Sequence, residues 1–176
     1  MRQSKTILFA AICVGLMLPS FANAAEPPSS RALLAQYVAE LQKAPEDQAL
    51  RERIIRLGLT LTPSPVVPAE ANRFFVKATI FQQEASAIQG YDQLAMSAHD
   101  FAISAYKQAL LIAPWWSEAY YRLSTSLVAS GRFNEAAAAL NLYIVTAPNA
   151  SGASAAEDRL RAIAIAMKGD KASINP

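Results

Sequence analysis

Apolar residues recur every three or four positions along most of the chain, which is the spacing of helices that bury one face. The first stretch, 31–43, carries Leu33, Leu34, Tyr37, Val38 and Leu41, and Ala44-Pro45 ends it. Similar patterns cover 46–61, 69–87, 91–113, 115–130, 133–147 and 153–168. The chain is therefore predicted to be all-α, with about seven helices.

A proline-rich segment divides this pattern. Thr62-Pro-Ser-Pro-Val-Val-Pro68 cannot lie inside a helix, because each proline removes a backbone donor and holds its predecessor in extended geometry. We expect 62–68 to be a stiff connector between an N-terminal helix pair, 31–61, and a larger domain, 69–168. The second helix of the pair is predicted to start at Glu46, with acidic residues in its first turn. Its basic face, Arg51, Arg53 and Arg56 with Glu52, is interpreted as solvated surface with one i,i+4 ion pair.

The first 24 residues are typical of a secretory signal peptide. Arg2 and Lys5 precede an apolar run from Ile7 to Leu18, and Ala22-Asn23-Ala24 offers a small-residue cleavage site. The run is shorter than the ~20 residues of a membrane-spanning helix. We therefore expect cleavage near Ala24, a short disordered lead-in over 25–30, and an exported protein, with the periplasm as its location.

Removal of that segment changes the charge and the cysteine count. The chain has 16 basic and 14 acidic residues, so the loss of Arg2 and Lys5 leaves a neutral mature protein. The pI of the full chain, near 8.8, then gives no reason to expect a nucleic-acid partner. The single cysteine, Cys13, lies inside the apolar run, so no disulfide is expected in the mature chain.

A repeat is present near the C-terminus. Pro114 and Pro148 end two similar helical strings, Ala109-Leu-Leu-Ile-Ala-Pro and Tyr143-Ile-Val-Thr-Ala-Pro, 34 residues apart. Between them, small residues stand at Ser124 and Ala136, where two helices must approach closely, and Gly131 stands at the turn. This segment resembles a tetratricopeptide repeat, whose period is 34 residues, and is similar to an exported bacterial branch of that family of unassigned activity. Aligned positions are Tyr120, Leu123, Ser124, Leu127, Gly131, Ala136, Leu140, Tyr143 and Pro148.

The resemblance implies a helix-turn-helix solenoid with defined units. An expanded repeat would cover 69–114, with its extra residues lengthening the helices or forming a loop near 86–97, and a regular repeat 115–148. A capping helix would follow at 153–168, then a tail at 169–176. The N-terminal pair would be repeat-like only in its packing. Tyr143, where the family has alanine, implies a wider contact with the following helix.

Repeats of this family stack into a concave surface that holds another protein. In this chain the resemblance places Glu118, Tyr121, Arg122, Thr125, Val128 and Ala129 along the groove. Some family members bind a partner's C-terminal carboxylate from the position of Arg122. The lysine they use one turn earlier is Glu118 here, which is predicted to pair with Arg122 instead.

Candidate chemistry elsewhere is sparse. Ser104-Ala-Tyr-Lys107 matches the Ser-x-x-Lys of penicillin-binding enzymes, but Ser-Asp-Asn and Lys-Thr-Gly are missing. His99 is the single histidine and is interpreted as a surface or boundary residue, so no metal or cofactor is expected. Of Trp115 and Trp116, at least one is predicted to pack between units and the other to be exposed.

Three functions remain open at this point. The first is a non-enzymatic exported scaffold that binds a protein or peptide in its concave groove. The second is a self-associating structural subunit of a cell-envelope assembly. The third is an enzyme or small-ligand binder, for which Ser104, Lys107 and the two tryptophans are the candidate residues. The sequence leaves the oligomeric state open.

Overall fold

A computed structural model describes residues 29–88, 92–147 and 152–174, with side chains as far as Lys168. The predicted signal peptide and residues 25–28 of the lead-in lie outside these ranges. The described residues form seven helices and no strand, which confirms the all-α prediction. The helices are α1 Ser30–Lys43, α2 Gln48–Thr60, α3 Ala69–Ala87, α4 Asp92–Ile112, α5 Ser117–Ala129, α6 Phe133–Thr146 and α7 Gly152–Ile174.

The first two helices begin at side-chain caps. Ser29 Oγ accepts a hydrogen bond from the Ala32 amide at 3.2 Å, and Asp47 Oδ1 accepts one from the Leu50 amide at 2.9 Å. Each cap satisfies an amide that has no partner inside the helix. Two expectations were therefore wrong. Residues 29 and 30 belong to the start of α1 rather than to a lead-in, and α2 starts after Asp47, so Glu46 lies outside its first turn.

A left-handed glycine connects α5 to α6. Gly131 has φ 70°, a conformation that costs little only for glycine. Its amide donates to the Val128 carbonyl at 3.0 Å, and the Arg132 amide donates to the Leu127 carbonyl at 2.8 Å. This is the Schellman pattern, which satisfies the last carbonyls of a helix and reverses the chain.

Five helices, α3 to α7, supply most of the main core, to which Ile55 of α2 also belongs. Each packs against the next along the chain, and α3 also reaches α5. Small residues at the crossings are fully buried, among them Ala78, Ala102, Ser124 and Ala136, so the backbones approach closely. α3 has 19 residues and α4 has 21. Of the segment 86–97, which was expected to lengthen the helices or to form a loop, the described residues 86–87 and 92–97 are helical.

The N-terminal hairpin docks differently from the repeat-like packing that was expected. α1 contacts α4 and α2 contacts α6, so the hairpin lies across the second helices of the two following pairs. Leu34, Leu41 and Ile54 form a small core of their own, against which Leu111 and Trp115 pack.

The basic face of α2 is also only partly solvated. Arg51 donates to the carbonyl of Pro45 at 2.7 Å and to that of Leu110 at 3.4 Å, so it fastens the hairpin to α4. Arg56 and Glu52 form the expected i,i+4 pair at 3.6 Å.

The last helix, α7, is longer than predicted. It continues to Ile174, so residues 169–174 extend the helix and are not a separate tail. Ala156 and Ile163 are buried in the main core, and Leu160 and Met167 pack against it. None of the described helices combines the length and the hydropathy needed to cross a membrane.

Candidate functional site

The residues predicted to line the groove lie on one side of α5. The opposite side of that helix buries Ala119, Tyr120, Leu123 and Leu127. Of the predicted set, Glu118, Arg122 and Ala129 are exposed, and Tyr121, Thr125 and Val128 are half-buried. The structure thus places them along one helical face, although they differ in what they contact.

Glu118 and Arg122 form a surface ion pair. Arg122 Nε donates to Glu118 Oε1 at 2.7 Å, as the i,i+4 spacing predicted. This hydrogen bond is the largest cause of the raised pKa of Arg122. Both side chains are nearly half exposed (46% and 49%), so solvent screening weakens the pair. Arg122 can therefore exchange Glu118 for a carboxylate of a partner at small cost.

Tyr121 and Thr125 are contacted by α7. The guanidinium carbon of Arg159 lies 5.2 Å from the centre of the Tyr121 ring, and its Nη1 donates to Thr125 Oγ1 at 3.2 Å. This arginine was not anticipated, because no local pattern reports that α7 passes beside α5. The middle of the predicted groove is thus partly filled by the chain itself.

Tyr143 also contributes to this side of the molecule. Its ring lies 5.4 Å from that of Tyr121. Its hydroxyl approaches Gly152 at the start of α7 so closely that a Cβ on residue 152 would collide with it. The tyrosine is accommodated at this contact because Gly152 has no side chain.

A network of buried hydrogen bonds joins α5 to α3 and α4. Tyr106 donates from its hydroxyl to Gln82 Oε1 at 3.1 Å. Gln82 Nε2 in turn donates to Ser126 Oγ at 2.9 Å and to the Arg122 carbonyl at 3.2 Å. Such a satisfied network rigidifies the elements that it joins. Gln82 was missed, although its helical spacing from Ala78 and Ala85 could have marked it as a polar residue in a buried stripe.

A second group of charges joins α4 to α6. Glu135 accepts two hydrogen bonds from Arg132, at 2.7 and 2.8 Å, and one from Lys107 at 2.9 Å. Arg132 also lies 3.6 Å from Asp100. Arg132, and then Lys107, hold the pKa of Glu135 below its usual value.

This network includes Lys107, which the sequence paired with Ser104 as a possible catalytic motif. Ser104 is exposed on α4, whereas the ammonium of Lys107 is engaged with Glu135. A general base must lie within hydrogen-bond reach of the nucleophile that it deprotonates. Lys107 Nζ is instead hydrogen-bonded to Glu135 at 2.9 Å, so the arrangement does not favour Ser104 as a nucleophile.

Neither tryptophan is exposed, contrary to the expectation for one of them. Trp116 stacks on Phe75 with ring centres 4.3 Å apart, and Trp115 packs against the small core of α1 and α2. The adjacent side chains thus point to two different clusters. His99 is half-buried, and burial is the main cause of its lowered pKa, opposed by Asp100.

A cavity of about 170 Å³ lies between the N-terminal hairpin and helices α4 to α6. Leucines and alanines form much of its lining, and Arg51, Lys107 and Glu135 also contribute. These charged groups already bind one another or backbone carbonyls. Within the described ranges, no cluster of three potential metal ligands occurs.

No family model and no curated protein matches this chain, and no solved structure matches it either.

Proposed function

We propose that this chain is a non-enzymatic, exported helical scaffold that binds a protein or peptide along the exposed face of α5, in the manner of tetratricopeptide repeats. The observation that carries the proposal is the contrast between the two sides of α5 at Arg122. Its carbonyl accepts a hydrogen bond from the buried Gln82, whereas its side chain pairs, among the described residues, with Glu118 at the surface. A rigid backbone that presents an exchangeable charge loses little freedom when it binds.

The neighbouring residues support a peptide or a helix as the occupant. Tyr121 adjoins Arg122 in the chain, and Arg159 lies over the Tyr121 ring; tyrosine and arginine are frequent anchors in protein interfaces. A partner with a carboxylate and an apolar side chain one helical turn apart fits this combination. Export is proposed from the signal-peptide pattern of residues 1–24.

The test is affinity capture with the full mature protein and an extract of the native cell envelope. We expect Arg122→Glu to lower the recovered partner at least ~10-fold, since loss of a central arginine anchor commonly costs ~2 kcal/mol. The matched control is Arg56→Glu on α2, which breaks a similar i,i+4 pair on another surface. It should leave capture unchanged.

Tyr121→Ala is a poorer test, because Tyr121 contacts Tyr143 and Arg159 and its loss would also affect folding. If Arg122→Glu and Arg56→Glu recover the same proteins as the unchanged chain, the α5 face is not the binding surface. The alternative of an assembly subunit that uses other surfaces would then be favoured.

A further inference from the structure

The outward face of α3 carries apolar side chains that the fold leaves uncovered. The helix buries Ala71, Ala78, Gln82 and Ala85 on its inner side. On the outer side Val76 and Ile80 are 48% and 49% exposed, and the neighbouring Phe101 of α4 is 60% exposed. Phe101 lies against Phe81, with ring centres 5.4 Å apart, so the two helices share one apolar patch.

The position of the N-terminal hairpin explains why the patch is open. In a continuous stack, the hairpin that precedes α3 in the chain would cover it. Here α1 and α2 pack instead on α4 and α6. A shallow hollow remains along this face, lined only by residues of α3. A contiguous exposed apolar patch, unlike a single apolar residue, indicates an interaction surface.

Charges at the two ends of the patch indicate which partner fits. Arg73 and Glu84 are both exposed, and neither belongs to an ion pair with another residue that the structure describes. Their opposite charges lie ~16 Å apart along the helix, at 1.5 Å per residue. Val76, Lys77 and Ile80 lie between them in the same hollow, and the Lys77 ammonium is 5.9 Å from the centre of the Phe81 ring. A helix with this order of charges is complementary to itself when the second copy runs in the opposite direction.

We propose that two copies of this chain dimerise through antiparallel contact of their α3 helices, around a two-fold axis beside Ala78 and Thr79. Arg73 of each copy then faces Glu84 of the other, Val76 faces Phe81, and Ile80 packs on the aliphatic part of the Lys77 side chain. The contact is isologous, so one surface serves both copies and the assembly closes at two. One helix face is smaller than a standard interface of ~800 Å² per partner, so the dimer is weak and depends on concentration.

The first experiment is sedimentation equilibrium of the full mature protein at low salt, over concentrations up to several hundred micromolar. We expect the unchanged chain to pass from monomer to dimer in this range. Ile80→Lys should raise the dimer dissociation constant at least ~10-fold, because it places a second cation opposite Lys77 near the two-fold axis. The control is Leu59→Lys on α2, a similarly exposed leucine that should leave dimerisation unchanged.

The second experiment tests the antiparallel arrangement by charge exchange. Arg73→Glu and Glu84→Arg should each weaken the dimer, because each places like charges opposite one another at two points. The double variant restores both opposite-charge pairs, so it should recover dimerisation. Circular dichroism checks that every variant remains helical.

Several results would overturn the proposal: a monomer at all concentrations, growth beyond a dimer, or a dimer that Ile80→Lys leaves intact. A double variant as weak as the single ones would overturn the antiparallel pairing. The inference does not rest on the proposed function. Arg122→Glu should not affect dimerisation, and Ile80→Lys should not abolish capture through α5, so the two proposals can fail separately.

Discussion

The chain contains two helix pairs of nearly equal size that are used in different ways. α1 and α2 have 14 and 13 residues, and α5 and α6 have 13 and 14. The pair α5–α6 is surrounded by α4 and α7, and its crossing residues belong to the main core. The pair α1–α2 keeps a small core of its own and contacts the rest of the chain along one side.

The difference shows that a hairpin's internal packing and its place in the molecule have separate physical origins. Helical spacing and small crossing residues are enough to form a hairpin. Docking depends on side chains far away in the chain. For α1–α2 these are Leu111 and Trp115, together with the Leu110 carbonyl that Arg51 contacts.

The largest expected effect concerns the crossing inside α5–α6. Ala136 is fully buried, whereas Ala138, on the same helix, is exposed. We expect Ala136→Leu to lower the free energy of unfolding by ~1–3 kcal/mol, because added bulk must force the helices apart. Ala138→Leu should change it little. Thermal melts of both variants provide the measurement.

Equal losses in the two variants would mean that α5 and α6 do not meet at Ala136. The comparison between the two hairpins would then fail, because α5–α6 would be no more closely packed than α1–α2.

Features that depend on nearby residues were predicted correctly from the sequence, and features that depend on distant residues were not. The number of helices and the Glu118–Arg122 pair depend on residues within a few turns, and the sequence predicted them correctly. The position of α1–α2 and the contact of Arg159 with Thr125 depend on residues brought together only by the fold. Periodicity reports which face of a helix is buried, but not which helix covers it.

For the start of α2 and for the two tryptophans, the sequence contained part of the information needed. Asp47 has the chemistry of a helix cap, and its position after Pro45 favoured a start at Gln48. Because Trp115 and Trp116 are adjacent, their side chains were expected to point in different directions. The sequence did not predict the small core that Trp115 contacts, because that core is formed by the N-terminal hairpin.

Two glycine substitutions are expected to change the free energy of unfolding by a smaller amount, with a decrease in one hairpin and an increase in the other. Gly131→Ala should destabilise the protein by ~1 kcal/mol, because alanine is strained at φ 70°. Gly58 lies inside α2, where an added Cβ would meet Trp115 Cβ at 3.4 Å, an ordinary contact distance. Gly58→Ala should therefore stabilise by up to ~1 kcal/mol through its higher helix propensity.

Chemical denaturation of the two glycine variants measures both changes in the free energy of unfolding. A lower stability of Gly58→Ala would show that Trp115 packs more tightly on α2 than the described contact implies. The boundary between the N-terminal hairpin and the main core would then be less tolerant than the comparison assumes.

The smallest effect concerns pH and the charges that join α6 to α4. Glu135 binds Arg132 and Lys107, which hold its folded pKa below the value in an unfolded chain, near ~4.3. A depressed carboxyl pKa stabilises the fold above the unfolded pKa, and that contribution is lost as the pH falls through the folded pKa. The side chains are more than a third exposed, so screening keeps the contribution below ~1 kcal/mol.

We therefore expect Glu135→Gln to be less stable than the unchanged chain at pH 7, with the difference shrinking as the pH is lowered below ~4.3, where the carboxylate begins to be protonated. Glu52→Gln on α2 is the control, because Glu52 binds one arginine at 3.6 Å and joins no second helix. Its effect on the melting temperature should be smaller at every pH. If the melting temperatures of the two variants changed with pH in the same way, Glu135 would not stabilise the contact between α4 and α6. The two hairpins would then differ only in apolar packing.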